Sequence, residues 1–393
     1  MPRFEPFAAL RYAVDLDDVI APPYDVLSDA EVDALAARDE HNIVRVDVPR
    51  EREGDDRYEL AAERLRSWIE AGVLVIDDVP SLTLYRMRFT DATGAARDIV
   101  GVMGGLEVVD EGAGGVLPHE RTTPKASTDR LDLTRATQCN LSPIWGLSLA
   151  RGLTDLLAPT AEPVGSVTVD GVDHVVERVT DVGRIAAISD AIRSEDVLIA
   201  DGHHRYGVAR MYRDEIRRSS GSERNPAELT LAFVSELVAD QLSVDAIHRL
   251  YHRPGFDELR DRLAVSFELE PAGAVDGSTL AQMNELGALC LVDAGGDGAW
   301  LLPKPGAFEG IRALDGAWLE HALRDFGVEL TYQHGLDRVL DAVRSGAAAA
   351  GVLIRPVSVA EIERTAREGL LMPPKSTFFT PKLRTGLVVR PLT

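Results

Sequence analysis

Two cysteines, Cys139 and Cys290, are all that the 393 residues contain. No disulfide framework can be built from so few, and a reducing cytoplasm suits the chain. Long apolar runs are missing as well: none reaches the roughly 18 residues that a membrane span requires. The opening stretch MPRFEPFAALRYAV has no apolar segment of the signal-peptide kind, so a cytoplasmic protein that does not engage membranes is expected. Cations are scarce, with 42 Lys and Arg against 64 Asp and Glu and a net charge of −22. A general nucleic-acid binder needs basic surface to displace counterions, so DNA is not an expected partner. A nucleotide could be held only through a local cationic site. There is no internal repeat and no low-complexity tract. What remains is an ordinary globular composition, 45% hydrophobic and 27% charged, at a length that suits two or three domains. Nothing in it opposes a homodimer.

Helical and strand patterns alternate along the chain, which predicts a mixed α/β (α+β) fold. SDAEVDALAARD begins with Ser28 and carries Glu31 three residues on, a capping-box pattern. HNIVRVDV (41–48) reads as a strand and DDRYELAAERLRSWIEAG (55–72) as an amphipathic helix. SLTLYRMRFT and ARDIVGVMGGLEVV read as two strands joined at DATG, and GSVTVDGVDHVVERV as a hairpin around Asp170-Gly171. The glycine-rich DEGAGGVLPHE (110–120) marks a boundary or a loop. The predicted division is an N-terminal α/β segment (1–110), a nucleotide-binding core (111–255), and a C-terminal α/β region (256–393) carrying a substrate loop at 372–382.

The most chemical stretch is DVLIADGHHRYGVARMYRDEIRR (196–218), an apolar strand that becomes a charged helix. A strand feeding a helix through Gly202 presents backbone N–H groups and the positive end of the helix dipole, which favour an anion. Arg205 can fork two phosphate oxygens, and His203 and His204 are donors near neutral pH. Asp201 repels a phosphate. It makes sense there if Mg²⁺ lies between, or if it orients a hydroxyl. The alternative is that the histidines merely cap a helix. In GVLPHERTTPKASTDR (115–130), His119 and Glu120 stand on a loop before a helix, where a carboxylate could accept the proton of an attacking alcohol. Arg130 and Arg135, on the helix that follows, could reach phosphates or simply face solvent. MPPKSTFFTPK (372–382) lacks the GxxxxGK[ST] of a Walker A loop, but Lys375, Ser376 and Thr377 could grip a carboxylate or phosphate.

Three of these stretches together resemble a family. LIADGHHRYGVA is similar to the signature of the ParB/sulfiredoxin-like superfamily, in the Asp-Gly-His-His-Arg version typical of free L-serine kinases. LPHE (117–120) resembles the Pro-His-Glu segment of those kinases, and AGVLIRPVSVAEIERTAREGLLMPPKSTFFTPK resembles their C-terminal strand, helix and loop, in the same order. The whole chain also resembles the bacterial family DUF1015. The resemblance implies a ParB/sulfiredoxin-like core and a kinase that uses Mg²⁺ and ATP or ADP to phosphorylate free serine or a similar hydroxylated metabolite. Glu120 would take the hydroxyl proton, with His119 on the substrate side. Asp201 would assist at the hydroxyl or hold the metal. Gly202, His203, His204 and Arg205 would hold nucleotide phosphates, and Lys375, Ser376 and Thr377 the amino acid. The first 110 residues have no counterpart in the small kinases, and Glu120 is farther from Asp201 here. The alternative is a ParB-like nucleotide-binding regulatory or DNA-partition protein, which the net charge opposes. A sulfiredoxin-like reductase would want a cysteine where His203 stands.

Overall fold

The computed structural model describes residues 1–50, 54, 56–91, 94–118 and 127–393. It is a mixed α/β protein, as the alternating patterns predict, and it divides into two compact units. The first comprises Met1–Ser243 and Pro381–Thr393, and the second Val244–Thr380. This differs from the three-part division read from sequence. Residues 82–107 pair directly with strands from beyond residue 111, and the last 13 residues return to the first unit. The reason is burial: the hairpin expected at 82–107 is buried on both faces over much of its length, so it takes a strand on each side.

Among the described residues, nine strands form the sheet of the first unit. They are β1 (Phe4–Glu5), β2 (Leu82–Thr90), β3 (Ala96–Glu107), β4 (Val116–Pro118), β5 (Ile144–Ser148), β6 (Glu162–Val169), β7 (Val172–Val179), β8 (Val197–Asp201) and β9 (Leu229–Glu236). Their order is β4-β8-β5-β9-β3-β2-β7-β6, with β1 on β3. The β6–β7 hairpin turns at Asp170 and Gly171, both at positive φ, as its Asp-Gly pair requires. At the centre, Phe233 of β9 lies between Trp145 and Tyr85, each with ring centroids 5.5 Å away and near-perpendicular planes. Gly101 of β3 makes room for that ring, since a Cβ there would come within 2.2 Å of it.

Five helices of this unit matter here: α1 (Asp29–Arg38), α2 (Arg57–Glu70), α3 (Ser127–Thr137), α4 (Val182–Arg193) and α5 (His203–Ser220). The capping box of α1 forms in both directions between Ser28 and Glu31. One face of α5 places Tyr206 and Ala209 in the main core, with Ile188 and Ile192 of α4. Its opposite face packs Val208 and Tyr212 against Leu131 of α3 and Leu392 of the returning tail. The strand predicted at 41–48 is instead a short helical turn, Val44–Asp47. Asn42 accounts for it: its side chain accepts from the Val44 N–H at 3.0 Å and donates to the Asp18 carbonyl at 2.6 Å, closing a turn that β-branched residues alone would not choose.

The second unit is an antiparallel sheet. Its strands are β10 (Ile247–Arg253), β11 (Phe267–Ala274), β12 (Leu289–Val292), β13 (Asp297–Pro303), β14 (Glu329–His334) and β15 (Ala350–Leu353), in the order β11-β13-β12-β15-β10-β14. Both faces are covered. Leu259, Leu263 and Leu319 pack on one side, and Met283, Val339 and Val343 on the other. The central strands β12 and β15 are therefore buried throughout.

Candidate functional site

The site is built where β8 meets α5. β8 pairs with β5 regularly up to Ile199, and the register then shifts before Asp201. Such an irregularity re-aims the side chain that follows it. Gly202 then takes φ +88° as the residue before α5. A Cβ at that position would come within 3.1 Å of the Arg205 guanidinium and of Ile144. Glycine is thus required twice, for the left-handed backbone and to let Arg205 fold back over the turn.

Arg205 is buried and reaches two acceptors. Nη2 donates to Asp201 Oδ2 at 2.5 Å, and Nη1 donates to the Pro143 carbonyl. The other carboxylate oxygen, Asp201 Oδ1, accepts from Lys382 Nζ at 2.7 Å. Lys382 arrives on the tail that returns to the first unit. Burial alone would raise the Asp201 carboxyl, but the Lys382 ammonium and the Arg205 guanidinium outweigh it and hold the group far below the usual carboxylate range. Asp201 is therefore ionised at every physiological pH.

Beside this turn lies a cavity of about 50 Å³ lined by Tyr24, Asp47, Arg130, Thr134, Asn140 and Arg205, among others. Arg130 Nη1 donates to the Asp47 carbonyl at 2.5 Å and to its carboxylate at 3.3 Å, and the guanidinium lies 4.2 Å over the Tyr24 ring. Burial pushes the Asp47 carboxyl up, against the pull of Arg130 and Arg205.

Of the residues that the sequence singles out, Asp201, Gly202, Arg205 and Arg130 come together here. His203 and His204 are half-buried in the first turn of α5. Arg135 does not join them. It lies on the outer face of α3, paired with Glu215 of α5 at 2.5 and 2.9 Å and with Asp132 at 2.5 Å. His119 and Glu120 lie outside the described residues. Pro118, the last described residue before them, pairs in parallel with Ile199, two positions before Asp201. Lys375, Ser376 and Thr377 belong to the second unit. There Lys375 holds a left-handed φ of 57°, its carbonyl accepts from Arg249 Nη1 at 3.1 Å, and the buried Ser376 hydroxyl donates to the Pro373 carbonyl at 2.7 Å.

Magnesium on Asp201 does not fit this arrangement. Both carboxylate oxygens are already bonded to cations, and among the described residues no three acidic or histidine side chains gather as a metal would need. Two participants were not assigned a role from sequence. Asp47 carries no local signal. Lys382 carries one: it closes MPPKSTFFTPK (372–382), the stretch already singled out for its lysine and small hydroxyls.

Among the described residues, no helix is long and apolar enough to cross a membrane. No curated protein matches the chain. Several solved structures resemble it at low identity. A conserved hypothetical protein from Pyrococcus furiosus is 13% identical, with 68% of this chain and 87% of that one covered and a TM-score of 0.37. A free serine kinase in complex with AMP is 14% identical, covering 68% and 84%, with a TM-score of 0.38. SbnI from Staphylococcus aureus, truncated at its C-terminus, is 12% identical, covering 73% and 87%, with a TM-score of 0.37. The family model described as a protein of unknown function, DUF1015, matches residues 4–317, and on that match over most of its length the chain belongs to the DUF1015 family.

Proposed function

We propose that this protein is a small-molecule kinase with a ParB/sulfiredoxin-like core, transferring a phosphoryl group from ATP or ADP to the hydroxyl of free L-serine or a similar metabolite. The observation that carries the reading is the pair of cations at the turn. In a chain of net charge −22, Lys382 and Arg205 converge on one carboxylate where a strand feeds a long helix. Convergent cations at a helix start are what phosphoryl transfer needs, because that chemistry is mostly positioning and charge neutralisation. The Asp-Gly-His-His-Arg, Pro-His-Glu and Pro-Pro-Lys-Ser-Thr segments, in that combination, support a serine kinase over other phosphate-binding proteins.

Arg205 and Lys382 would neutralise the transferring group, with the α5 end and His203 and His204 about the remaining phosphates. Glu120 would accept the proton of the acceptor hydroxyl as its oxygen bonds to phosphorus and the bond from phosphorus to the leaving nucleotide oxygen breaks. Arg135 is left out, being committed to Glu215 and Asp132.

The test is direct. Full-length protein is incubated with ATP or ADP, magnesium and a panel of amino acids and small alcohols, and O-phosphoserine is sought by mass spectrometry. Phosphoserine from either donor supports the reading. No phosphorylated product from any acceptor with either donor ends it. Glu120→Gln should abolish product while nucleotide binding survives; full turnover in that variant removes Glu120 from the mechanism.

A further inference from the structure

We propose that the cavity beside the turn seats the ribose of the donor nucleotide, with the Asp47 carboxylate accepting hydrogen bonds from its hydroxyls. The inference rests on the kinase reading. It gives the first 110 residues, which supply Tyr24 and Asp47, a part in nucleotide binding.

Asp47 is short of donors. It is 3% exposed, and among the described residues its carboxylate accepts one hydrogen bond, from Arg130 Nη1 to Oδ1 at 3.3 Å. Oδ2 accepts none. An ionised carboxylate has about four lone-pair sites, and when buried it normally fills more of them than this. Arg130 does not need that carboxylate for its own position. Its Nη1 makes a shorter bond, 2.5 Å, to the Asp47 carbonyl, and its Nε and Nη2 lie 3.0 and 2.9 Å from Asp129 Oδ2.

The surroundings narrow the ligand. Tyr24, Ser142 and Thr230 line the same cavity, and none of their three hydroxyls bonds to another described residue. The charges nearby compensate one another. Arg130 faces Asp47 and Asp129, while Arg205 faces Asp201 and feels Asp25 and Asp47 as well. An anion entering the cavity would meet the Asp47 carboxylate, and a cation would meet two guanidiniums. A neutral group rich in hydroxyls suits both, because a hydroxyl donates to a carboxylate and accepts from another hydroxyl. Leu133, Val208 and Ala209 give the cavity an apolar side for the carbon face of a sugar ring. Position then selects among such groups. Arg205 lines the cavity and also bonds to Asp201 in the turn proposed to receive phosphates. In a nucleotide the ribose is the hydroxyl-bearing group joined directly to the phosphates, so its seat must adjoin theirs.

The probes are ADP and 2′,3′-dideoxy-ADP, with magnesium, in isothermal titration calorimetry on the full chain. Wild-type protein should bind ADP tighter than the dideoxy compound by about tenfold or more, the usual worth of a hydroxyl bonded to a buried carboxylate. Asp47→Ala should bring the two affinities to within about threefold of each other. If Asp47 merely holds Arg130, both nucleotides weaken alike and the ratio keeps its wild-type value, which overturns the proposal. If Asp47→Ala does not fold, Asp47→Asn, equal in size and uncharged, replaces it, and an unchanged ratio there overturns the proposal as well. A wild-type protein that binds neither probe would end the kinase reading along with this one, whereas ADP binding without discrimination against the dideoxy compound ends only the ribose seat.

Discussion

His174 should make the first unit acid-sensitive. It lies on β7, 1% exposed, with Nδ1 2.7 Å from the Tyr85 hydroxyl. Among the described residues its Nε2 has no hydrogen-bond partner. Burial, with a smaller contribution from the Arg384 guanidinium, pushes the imidazole down from 6.5 to about 4. The folded protein thus holds this ring neutral, while the unfolded chain takes up a proton below 6.5. Stability from His174 is complete above that pH and is lost progressively as the pH falls from 6.5 to 4. The full difference amounts to about 3 kcal/mol, of which about 2 kcal/mol is gone by pH 5. Urea unfolding followed by hydrogen exchange on peptides from β2 and β7 reads this locally, without assuming that the two units unfold together. His174→Phe keeps a buried ring but cannot titrate. It should start less stable, having left the Tyr85 hydroxyl short of a partner, and should then lose about 2 kcal/mol less than wild type between pH 7 and 5. An equal loss in both proteins would refute the argument.

His248, on β10, is likewise lowered to about 4 by burial, and its ring accepts from the Ile354 N–H, so peptides of β10 and β15 should weaken over the same pH range. Gly202→Ala should cost about 1–2 kcal/mol for its left-handed backbone, seen in urea unfolding, and should weaken ADP binding by displacing Arg205. Gly101→Ala drives a methyl into the Phe233 ring, which Trp145 and Tyr85 hold in place, and should cost about 1–3 kcal/mol in the same assay. Ser28→Ala removes one side of the capping box and should cost about 1 kcal/mol, visible as faster exchange confined to α1.

Features set by neighbouring residues were legible in the sequence. The Asp170-Gly171 hairpin, the Ser28 cap and the strand-to-helix turn at Gly202 each follow from what one or two residues do to the backbone. Features set by a distant partner were not. The stretch 41–48 has strand-like residues, yet Asn42 folds it into a turn through a bond to the carbonyl of Asp18. No periodicity announces that the tail after Pro381 returns to the first unit, through backbone bonds between Thr385 and Ala21 and between Val389 and Leu10. That return is what delivers Lys382 to Asp201. Both stretches were readable as motifs; what the sequence did not show is that Lys382, at the end of the second, pairs with Asp201 181 residues away. Arg135 shows the opposite failure: its charge suggested a ligand, but carboxylates on its own helix and the next one claimed it.

Charge pairing across the first unit gives the turn its meaning. Many arginines there face one or more carboxylates. Arg213 faces Asp110 and Asp214, Arg178 faces Asp77, Asp78 and Glu162, and Arg130 faces Asp47 and Asp129. Paired in this way, such cations are largely neutralised, and an excess of acidic surface would repel an anion before it arrived. Asp201 likewise meets two cations, Arg205 and Lys382, as Asp77 meets Arg11 and Arg178. A phosphate approaching this protein meets an acidic surface, and on the kinase reading the cations at the start of α5 offset it locally. Two cations set side by side with no anion between them would repel each other in a partly buried turn, and Asp201 holds them together.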